Sequence, residues 1–251
     1  MEFIKLIFNW HLISYTWGVA LIFFCLYSTF FIYSLYWHRV ASHKQAILHP
    51  WFADFCRFWL WINTTIWYQG HLVRFTAEHR LHHAVSDEPN DPLSPKNFRL
   101  REFFTYGNNP GNARYVSAKQ IIQFGDASME PNDKFSLFYK RHQFNGIWIF
   151  RVIWFILLGP IGFVIAYLNP YIWQYGGTFF GDWMWHTIGY KHPHVRGEAR
   201  NISPWPTLDG LHSNHHVNQN NPNNAYRWFE LDLFYWQLRL LEIVGLLKFN
   251  K

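Results

Sequence analysis

A long uncharged stretch sets the first limit on how this chain can fold. Residues 12–37 contain no Asp, Glu, Lys or Arg over 26 positions. As a helix that rises about 1.5 Å per residue, this stretch would cross the roughly 30 Å hydrocarbon core of a bilayer. We therefore predict a membrane-spanning helix that delivers the next residue, His38, to the membrane surface.

The composition also favours a membrane protein. Charged residues make up only 15% of the 251 positions, whereas about 25% is usual in soluble domains. The mean hydropathy is slightly negative, but the chain has 15 Trp and 14 Tyr, the residues that form aromatic belts at membrane interfaces. Because Cys25 and Cys56 each lie in an apolar run, we expect neither a disulfide framework nor a thiolate metal site.

Three histidine clusters follow the uncharged stretch. They are His38 with His43, then His79, His82 and His83, and then His212, His215 and His216. The second and third clusters have the spacing i, i+3, i+4, which on a helix confines the imidazoles to an arc of about 100° and predicts one metal-facing stripe for each triplet. His38 and His43 diverge by about 140° on a regular helix, so they converge only if the helix ends or bends between them. We expect His38 at a helix end.

The clusters together indicate a metal site. Any single histidine could equally be a half-buried aromatic residue with a satisfied ring, but eight in three spaced clusters are a stronger signal. A site of imidazoles without cysteine suits iron, zinc or copper. Since eight or more nitrogens exceed what one ion can bind, two metal ions are implied.

Four further polar residues are candidate members of this site. Asp182 and His186 share one helix face at their spacing of four, and a carboxylate close to the bilayer is costly without a partner. We interpret His186 as a ninth ligand and Asp182 as acting through water or a hydrogen bond; the alternative is an interfacial histidine at a helix end. Asp87 and Asp91 either belong to a solvated turn or orient ligand imidazoles by accepting their second ring N–H.

The other apolar segments give the predicted topology. Residues 51–70 are interrupted by polar side chains, and a crossing there would put the first two clusters on opposite sides, so we interpret them as interfacial or re-entrant. Spans are predicted at 146–168 and 171–188 with a tight reversal at Asn169–Pro170, and residues 231–246 as an amphipathic helix against the bundle or membrane. Of the 22 basic residues, 21 lie from Arg39 onward, which puts the metal site on the cytoplasmic face.

We therefore predict one all-α integral membrane domain over residues 1–251. It has three, or alternatively four, transmembrane helices, at about 12–37, 146–168 and 171–188, and an interfacial segment at about 51–70. A cytoplasmic helical cap, residues 71–145 and 189–251, carries the di-metal site. The predicted location is a bacterial inner membrane or the endoplasmic reticulum.

The histidine boxes and their order along the chain resemble the membrane fatty acyl desaturases, most closely their delta-9, or stearoyl-CoA, branch. The stretch from Asp209 to His216, followed by residues 227–232, carries the resemblance, and Gln69–Gly70 resembles the bacterial members. His186 with a polar residue four positions earlier also matches this branch, although Asp182 stands where the animal enzymes have an asparagine that holds a metal-bound water. We expect no further span before the first box, where the family usually has one, and no appended cytochrome domain.

The resemblance implies a di-iron centre that uses O2 and two electrons from an external carrier to place a cis double bond, at delta-9, in a saturated acyl chain. The acyl group would arrive on coenzyme A, on a carrier protein or in a glycerolipid, and the electrons from cytochrome b5, ferredoxin or rubredoxin. The nine histidines would be the ligands, and Asp87, Asp91, Asp182 and Asp209 would act on them through hydrogen bonds or water. We expect the basic residues behind the net charge of +6 to contact anionic membrane lipid or an acidic carrier, and we expect no nucleic acid partner.

Two alternative functions remain open at this stage. One is a hydroxylase or ketolase of the same histidine-box superfamily that acts on an alkane or a carotenoid, and the other is a metal-binding membrane protein without catalysis. A narrow substrate tunnel is predicted along aromatic segments that include Trp67, Gln69, Trp183 and Trp185, since position selection requires a fixed chain. The same aromatic residues could instead be ordinary membrane core.

Overall fold

The structure, a computed structural model, describes residues 11–64, 71–97, 116–127, 132–177, 181, 183–202 and 209–250. The first half contains α1 (Tyr15–Tyr33), a π-helical segment (Ser34–Ser42), β1 (Ala46–Leu48), α2 (Pro50–Asn63), α3 (His71–Ala84) and α4 (Ala118–Phe124). The second half contains α5 (Lys134–Arg141), α6 (Asn145–Gly177), the single turn α7 (Trp185–Thr187), α8 (His212–Val217), α9 (Leu233–Ile243) and β2 (Leu247–Phe249). The described part is thus mostly helical, as predicted.

Two segments are long and apolar enough to cross a membrane by length and composition, Tyr15–Ser42 and Asn145–Ile172, but the second reverses at Gly159 and is not one straight crossing. The first begins at Ser14, whose side chain accepts a hydrogen bond from the backbone N–H of Trp17 and so caps α1. Large apolar side chains of α1 are exposed, with Trp17 at 69% and Phe23 at 67%. A helix that exposes such side chains over its length fits association with lipid. The third span and the cap remain predictions.

The chain reverses within α6 at Gly159, which has φ 63° and ψ −149°. The ring centroids of Trp148 and Phe163 are 6.4 Å apart, and the Arg151 guanidinium lies 4.6 Å from the Tyr167 ring. In a continuous helix, residues fifteen positions apart would be separated by about 22 Å. Residues 145–158 and 160–177 therefore form the two arms of a hairpin.

This corrects the predicted position of the reversal. The turn lies at Gly159–Pro160, where glycine takes the left-handed conformation and proline starts the second arm. Helix continues through Asn169 and Pro170 to Gly177, so the predicted boundary between spans 146–168 and 171–188 is wrong. The described part of the returning segment begins at residue 160 instead of 171.

The two arms run alongside α1 in opposite directions. Near the start of α1, the N–H of Leu12 donates to the carbonyl of Leu157 at 2.8 Å, and a Cβ on Gly18 would approach Leu158 Cδ1 to 2.7 Å. Near the end of α1, a Cβ on Gly176 would lie 3.7 Å from the Phe30 ring. The second arm therefore rises along α1 and carries the chain toward His186.

Helix α2 packs against α1 without matching its length. Its Trp59 Nε1 donates to Thr29 Oγ1 at 3.2 Å, and its C-terminal carbonyl at Asn63 accepts from Asn169 Nδ2 at 2.9 Å. With 14 residues, α2 is shorter than the roughly 20 residues that a span needs. Residues 65–70 lie outside the described part, so the interfacial position of 51–70 stays a prediction.

The C-terminal segment closes the fold against the first histidine box. β1 and β2 pair antiparallel with Ala46 opposite Phe249. Helix α9 buries Phe234 and Leu238, and Phe234 contacts the Phe31 ring of α1 at 5.0 Å between centroids. Its opposite face exposes Trp236. The predicted amphipathic helix at 231–246 is present as α9, but it stops at Ile243 because β2 follows at 247.

Candidate metal centre

Nine imidazoles meet at the end of the helical bundle and form two groups. The five-histidine cluster consists of His38, His43, His79, His83 and His215, and the four-histidine cluster consists of His82, His186, His212 and His216. These are all nine histidines that the sequence predicted as ligands. Within each group the candidate ligand atoms all lie within 4.8 Å of one another.

Each of the two triplets is divided between the clusters. His79 and His83 of α3 belong to the five-histidine cluster, whereas His82 between them belongs to the four-histidine cluster. Each triplet thus forms one stripe along its helix, and the rings of that stripe are shared between two neighbouring clusters. On a helix, position i+3 lies about 60° to one side of i and position i+4 about 40° to the other, so one triplet can face two adjacent ions.

The third box shows the same division in the opposite sense. His212 and His216 of α8 belong to the four-histidine cluster, and His215 belongs to the five-histidine cluster. Each cluster thus takes an i, i+4 pair from one triplet and the i+3 residue from the other. Both clusters need α3 and α8 together, so neither can form before these helices meet.

His38 and His43 converge through a change in helix type. The backbone N–H of His43 donates to the carbonyl of His38 at 3.1 Å, a hydrogen bond across five residues that defines π-helical winding. With roughly 4.4 residues per turn in such a helix, residues five apart differ by only about 50°. His38 lies inside the π-helical segment Ser34–Ser42, so the expectation that it ends a helix is wrong, and the wider winding brings the rings together.

The nitrogen atoms in both clusters are spaced as the ligands of a metal ion are. In the five-histidine cluster, His43 Nε2 lies 2.8 Å from His79 Nε2 and 3.1 Å from His215 Nε2. In the four-histidine cluster, His212 Nε2 lies 3.1 Å from the Nε2 atoms of His186 and His216. At a metal–nitrogen bond of about 2.1 Å, ligands at right angles are about 3.0 Å apart. Both clusters fit a bound ion.

Burial keeps these imidazoles neutral, the form that binds metal. Desolvation and then the neighbouring rings hold the pKa of His79, His83 and His215 well below the usual histidine value. The pKa of His212 and His216 is lowered for the same reasons. The lone pairs on Nε2 are therefore available near neutral pH, and the repulsion between bare nitrogens is relieved when a cation binds.

Two carboxylates meet the four-histidine cluster from outside. Asp91 lies 2.8 Å from His82 Nδ1, and Asp87 lies 3.0 Å from His186 Nδ1. Each carboxylate can accept the Nδ1–H, which leaves Nε2 without a proton and fixes the ring orientation. The sequence predicted this role for both aspartates as one of two options, and the structure places both carboxylates at the expected nitrogen.

The five-histidine cluster has a different carboxylate environment. Asp209 Oδ2 lies 3.4 Å from His38 Nδ1 and accepts a short hydrogen bond from Ser34 Oγ. Its other oxygen, Oδ1, pairs with Arg39 NH2 at 3.0 Å. Burial alone would raise the pKa of Asp209, but the charge of Arg39 together with His38 and Ser34 holds that pKa well below its usual range. The carboxylate is therefore ionised and its charge is balanced by Arg39.

Sequence reasoning missed several residues that position the boxes. Arg80 donates from Nε to the Ser42 carbonyl at 2.7 Å and so ties the second box to the end of the π-helical segment. Asn214 donates to Glu230 Oε2 at 2.7 Å, which holds the third box against the following loop. Arg39, Arg80 and Asn214 are direct neighbours of ligand candidates in sequence. That position was a usable signal, because each lies on an element that faces another box.

The remaining predicted residues lie at or beyond the edge of the described part. The Trp185 ring contacts the His212 ring at 5.2 Å between centroids, and Trp183 is half-buried one turn from Thr187. Asp182, Trp67 and Gln69 are outside the described residues. Trp185 is thus next to the four-histidine cluster, and a role of these residues in a tunnel stays a prediction.

Curated proteins with similar sequences align with most of this chain. It is 27% identical over 252 residues to the sn-1 stearoyl-lipid 9-desaturase of Anabaena variabilis, covering 97% of this chain and 85% of that protein. It is 26% identical to the sn-1 stearoyl-lipid 9-desaturase of Synechocystis sp., covering 99% and 74%, and 23% identical to Delta-9 acyl-lipid desaturase 2 of Arabidopsis thaliana, covering 92% and 74%. No protein-family model matches the sequence. The curated relatives support the assignment of this chain to a desaturase family, over nearly its whole length.

Proposed function

We propose that this protein is an acyl-lipid desaturase that holds two irons with nine histidines and places a cis double bond in a saturated acyl chain. One observation carries the proposal: two adjacent all-imidazole clusters lie in a chain whose relatives are named as acyl-lipid desaturases. Binding alone would not require two ions side by side.

The donor set favours iron. Neutral imidazoles bind zinc, copper and iron, but zinc has no redox chemistry. Breaking the C–H bonds of unactivated methylenes needs an oxidant, and a pair of bound irons would supply it together with O2 and two electrons. The five-histidine cluster offers five nitrogens to one ion and the four-histidine cluster offers four to the other.

The protein's own residues bind the ions and fix their ligands. Asp91 and Asp87 hold His82 and His186 in the tautomer that leaves Nε2 free. Asp209, itself held by Arg39, does the same for His38. These contacts keep the ligand rings in one orientation, so the reacting methylenes are selected by the position of the acyl chain and not by movement of the ions.

We propose an acyl chain esterified in a glycerolipid as the substrate, with the double bond at position 9. The relatives from Anabaena variabilis and Synechocystis sp. are named stearoyl-lipid 9-desaturases, which favours a lipid-bound acyl group over coenzyme A or a carrier protein. The exposed apolar side chains of α1 and α6 would place such a lipid beside the protein. Trp183 and Trp185 are proposed to line its approach to the four-histidine cluster.

Expression in a desaturase-deficient host tests the proposal. Mass spectrometry of the glycerolipids should show new monounsaturated chains with the double bond at carbon 9, and a His79→Ala, His215→Ala double variant should make none. A main product that carries oxygen would instead show a hydroxylase or ketolase. A bond at another carbon would overturn the positional part only, and label that appears first in acyl-CoA would overturn the lipid substrate.

A further inference from the structure

We propose that a basic surface outside the four-histidine cluster docks an acidic electron-carrier protein. This basic surface consists of Lys96, Lys191, Arg196 and Arg200. The proposal rests on the proposed function, since that reaction consumes two electrons from outside for each double bond. It adds the place where those electrons enter and the charge of the partner that brings them.

The basic surface carries more positive charge than its own carboxylate can balance. Glu198 lies at its centre, 2.6 Å from Lys191 Nζ, 3.3 Å from Lys96 Nζ and 3.4 Å from Arg200 NH2. The side chains of Lys96 and Lys191 are 52% and 36% exposed, and Arg196 is exposed as well. The three cations paired with Glu198 exceed its single charge, and the exposed Arg196 on the same loop adds a fourth positive charge, so this surface attracts an acidic protein.

A hydrogen-bonded path leads from this surface to a ligand of the four-histidine cluster. The backbone N–H of Glu198 donates to Asp87 Oδ2 at 2.6 Å. The same oxygen lies 3.0 Å from His186 Nδ1, and His186 Nε2 is one of the clustered nitrogens. Only Asp87 therefore separates the loop that carries Glu198 from a candidate metal ligand.

A second path starts at the same surface and reaches a different histidine. The backbone N–H of Arg200 donates to the Trp185 carbonyl at 2.7 Å. The Trp185 ring contacts the His212 ring at 5.2 Å between centroids. Two independent short contacts thus connect one exposed basic surface with two imidazoles of the four-histidine cluster. A charged surface that only contacts solvent would not need two separate contacts with the buried site.

The chemistry of the surface favours a protein partner over lipid. Surfaces that enter a membrane combine cations with exposed Trp, Phe or Leu side chains. Between residues 189 and 200, all of which the structure describes, no large hydrophobic side chain is exposed. The exposed Ile188 and Tyr226 at the edge of this surface are apolar contacts of the kind that protein interfaces also use. Long-range attraction without apolar insertion is typical of transient electron-transfer complexes, which are small and depend on charge.

The electron balance requires repeated docking. The substrate loses two electrons and two protons when the double bond forms, and two carrier molecules each lose one electron. O2 takes up these four electrons, with two protons from the substrate and two from solvent, and yields two waters. A one-electron carrier must therefore bind, leave and be replaced in each cycle, which favours a weak and salt-sensitive surface.

A charge-neutralised variant tests the basic surface. The full chain, loaded with iron in detergent micelles, would carry Lys96→Gln and Lys191→Gln. The matched control, Lys134→Gln and Lys248→Gln, removes the same charge from exposed lysines on other elements. Three acidic carriers, a [2Fe–2S] ferredoxin, a cytochrome b5 and a rubredoxin, would be tested for binding and for the rate of iron reduction by stopped-flow absorbance, with dithionite as a small-molecule reductant.

We expect at least one carrier to bind the wild type and to reduce it about tenfold faster than the surface variant at low salt, with the difference shrinking as salt rises. Dithionite should reduce all three proteins equally, and the control should match the wild type. Equal carrier rates in the surface variant, or no binding by any carrier, overturn the proposal. Loss of binding to anionic vesicles with carrier rates unchanged also overturns it, in favour of lipid. Because these readouts need no turnover, they are independent of whether the substrate is an acyl lipid.

Discussion

The two histidine clusters achieve the same end by different means. The five-histidine cluster offers five imidazoles, and the one carboxylate found beside its rings among the described residues, Asp209, is paired with Arg39 at 3.0 Å. The four-histidine cluster offers four imidazoles, and two of them meet the carboxylates Asp87 and Asp91 at 3.0 and 2.8 Å. Among the described residues, no lysine or arginine pairs with either of these two aspartates.

This difference predicts that the two clusters would hold their ions with different ligands and different nearby charges. The five-histidine cluster would hold its ion by the number of nitrogens, with little added negative charge. The four-histidine cluster would hold its ion with fewer nitrogens but with more negative charge behind them, which makes the imidazoles stronger donors. It also leaves more of its ion's coordination open to other ligands. We therefore expect the two ions to differ in retention and in electronic environment.

Removal of one ligand from each cluster is the strongest test of this comparison. His83→Ala should weaken the five-histidine cluster alone, and His216→Ala the four-histidine cluster alone. Each variant should retain about one iron per chain by elemental analysis and lose activity by more than 100-fold, because loss of a direct ligand exceeds the effect of an outer contact. The exposed His49→Ala serves as the control. Loss of both irons in either variant would show that the clusters do not bind independently.

Sequence periodicity predicted the ligands but not their partition. The spacing of His79, His82 and His83 puts three rings on one side of α3, and that was enough to predict that they take part in one candidate metal centre. Which ion each ring faces depends on about 20 to 60° of rotation and on where α8 lies, and a single helix carries no information about that. The π-helical winding that joins His38 to His43 was likewise hidden, because a bend would have served equally well.

The position of the hairpin turn shows the same limit. Gly159–Pro160 and Asn169–Pro170 are both turn-favouring dipeptides in an apolar segment, and local sequence does not rank them. The packing of Trp148 on Phe163 and of Gly18 on Leu158 decides between them. Long-range contacts made this choice, whereas the existence of a hairpin followed from the need to return the chain to the histidines.

A fall in pH gives the second test of the comparison, because it protonates the imidazoles of both clusters. Six buried imidazoles have a pKa well below that of the unfolded chain: His43, His79, His83 and His215 in the five-histidine cluster, and His212 and His216 in the four-histidine cluster. The unfolded state therefore binds more protons below its histidine pKa of about 6.5, and the metal-free protein loses stability as pH falls through that value. Each such group contributes up to about 1.4 kcal/mol per pH unit.

Denaturant unfolding of the metal-free protein between pH 7.5 and 5.5 measures this slope. His83→Ala should flatten it by one group. With iron bound, the five-histidine cluster should release its ion at the higher pH, because more of its ligands must be kept unprotonated without help from an unpaired carboxylate. A flat stability over this range, or simultaneous release of both irons, would contradict the comparison.

Substitution of the carboxylates should have smaller effects than loss of a histidine. Asp209→Asn should mainly lower stability, and Asp91→Asn should mainly lower iron affinity. Asp209→Asn leaves the buried Arg39 charge without its partner, so we expect the metal-free protein to lose about 3–5 kcal/mol of unfolding free energy. Asp91→Asn keeps one acceptor oxygen, enough for the Leu93 N–H but not also for the Asp87 N–H, so stability should fall by about 1–3 kcal/mol while iron affinity at the four-histidine cluster falls about 10- to 100-fold. Asp133→Asn is the control, since its partner Arg57 keeps Asp54. If Asp91→Asn instead unfolds the protein with iron affinity intact, the carboxylate is structural and the charge argument fails.

Asp182→Asn should have the smallest effect. In the four-histidine cluster, His186 Nδ1 already meets Asp87 at 3.0 Å and His186 Nε2 lies 3.1 Å from His212 Nε2, so both ring nitrogens are engaged without residue 182. An asparagine keeps an acceptor oxygen for a bound water, and iron content and activity should therefore fall by less than the roughly tenfold minimum for an outer contact. His186→Ala should remove the iron of the four-histidine cluster together with activity, and should leave about one iron per chain. If Asp182→Asn loses one iron outright, its carboxylate binds the ion directly, and the four-histidine cluster then holds its ion with a ligand set of mixed nitrogen and oxygen.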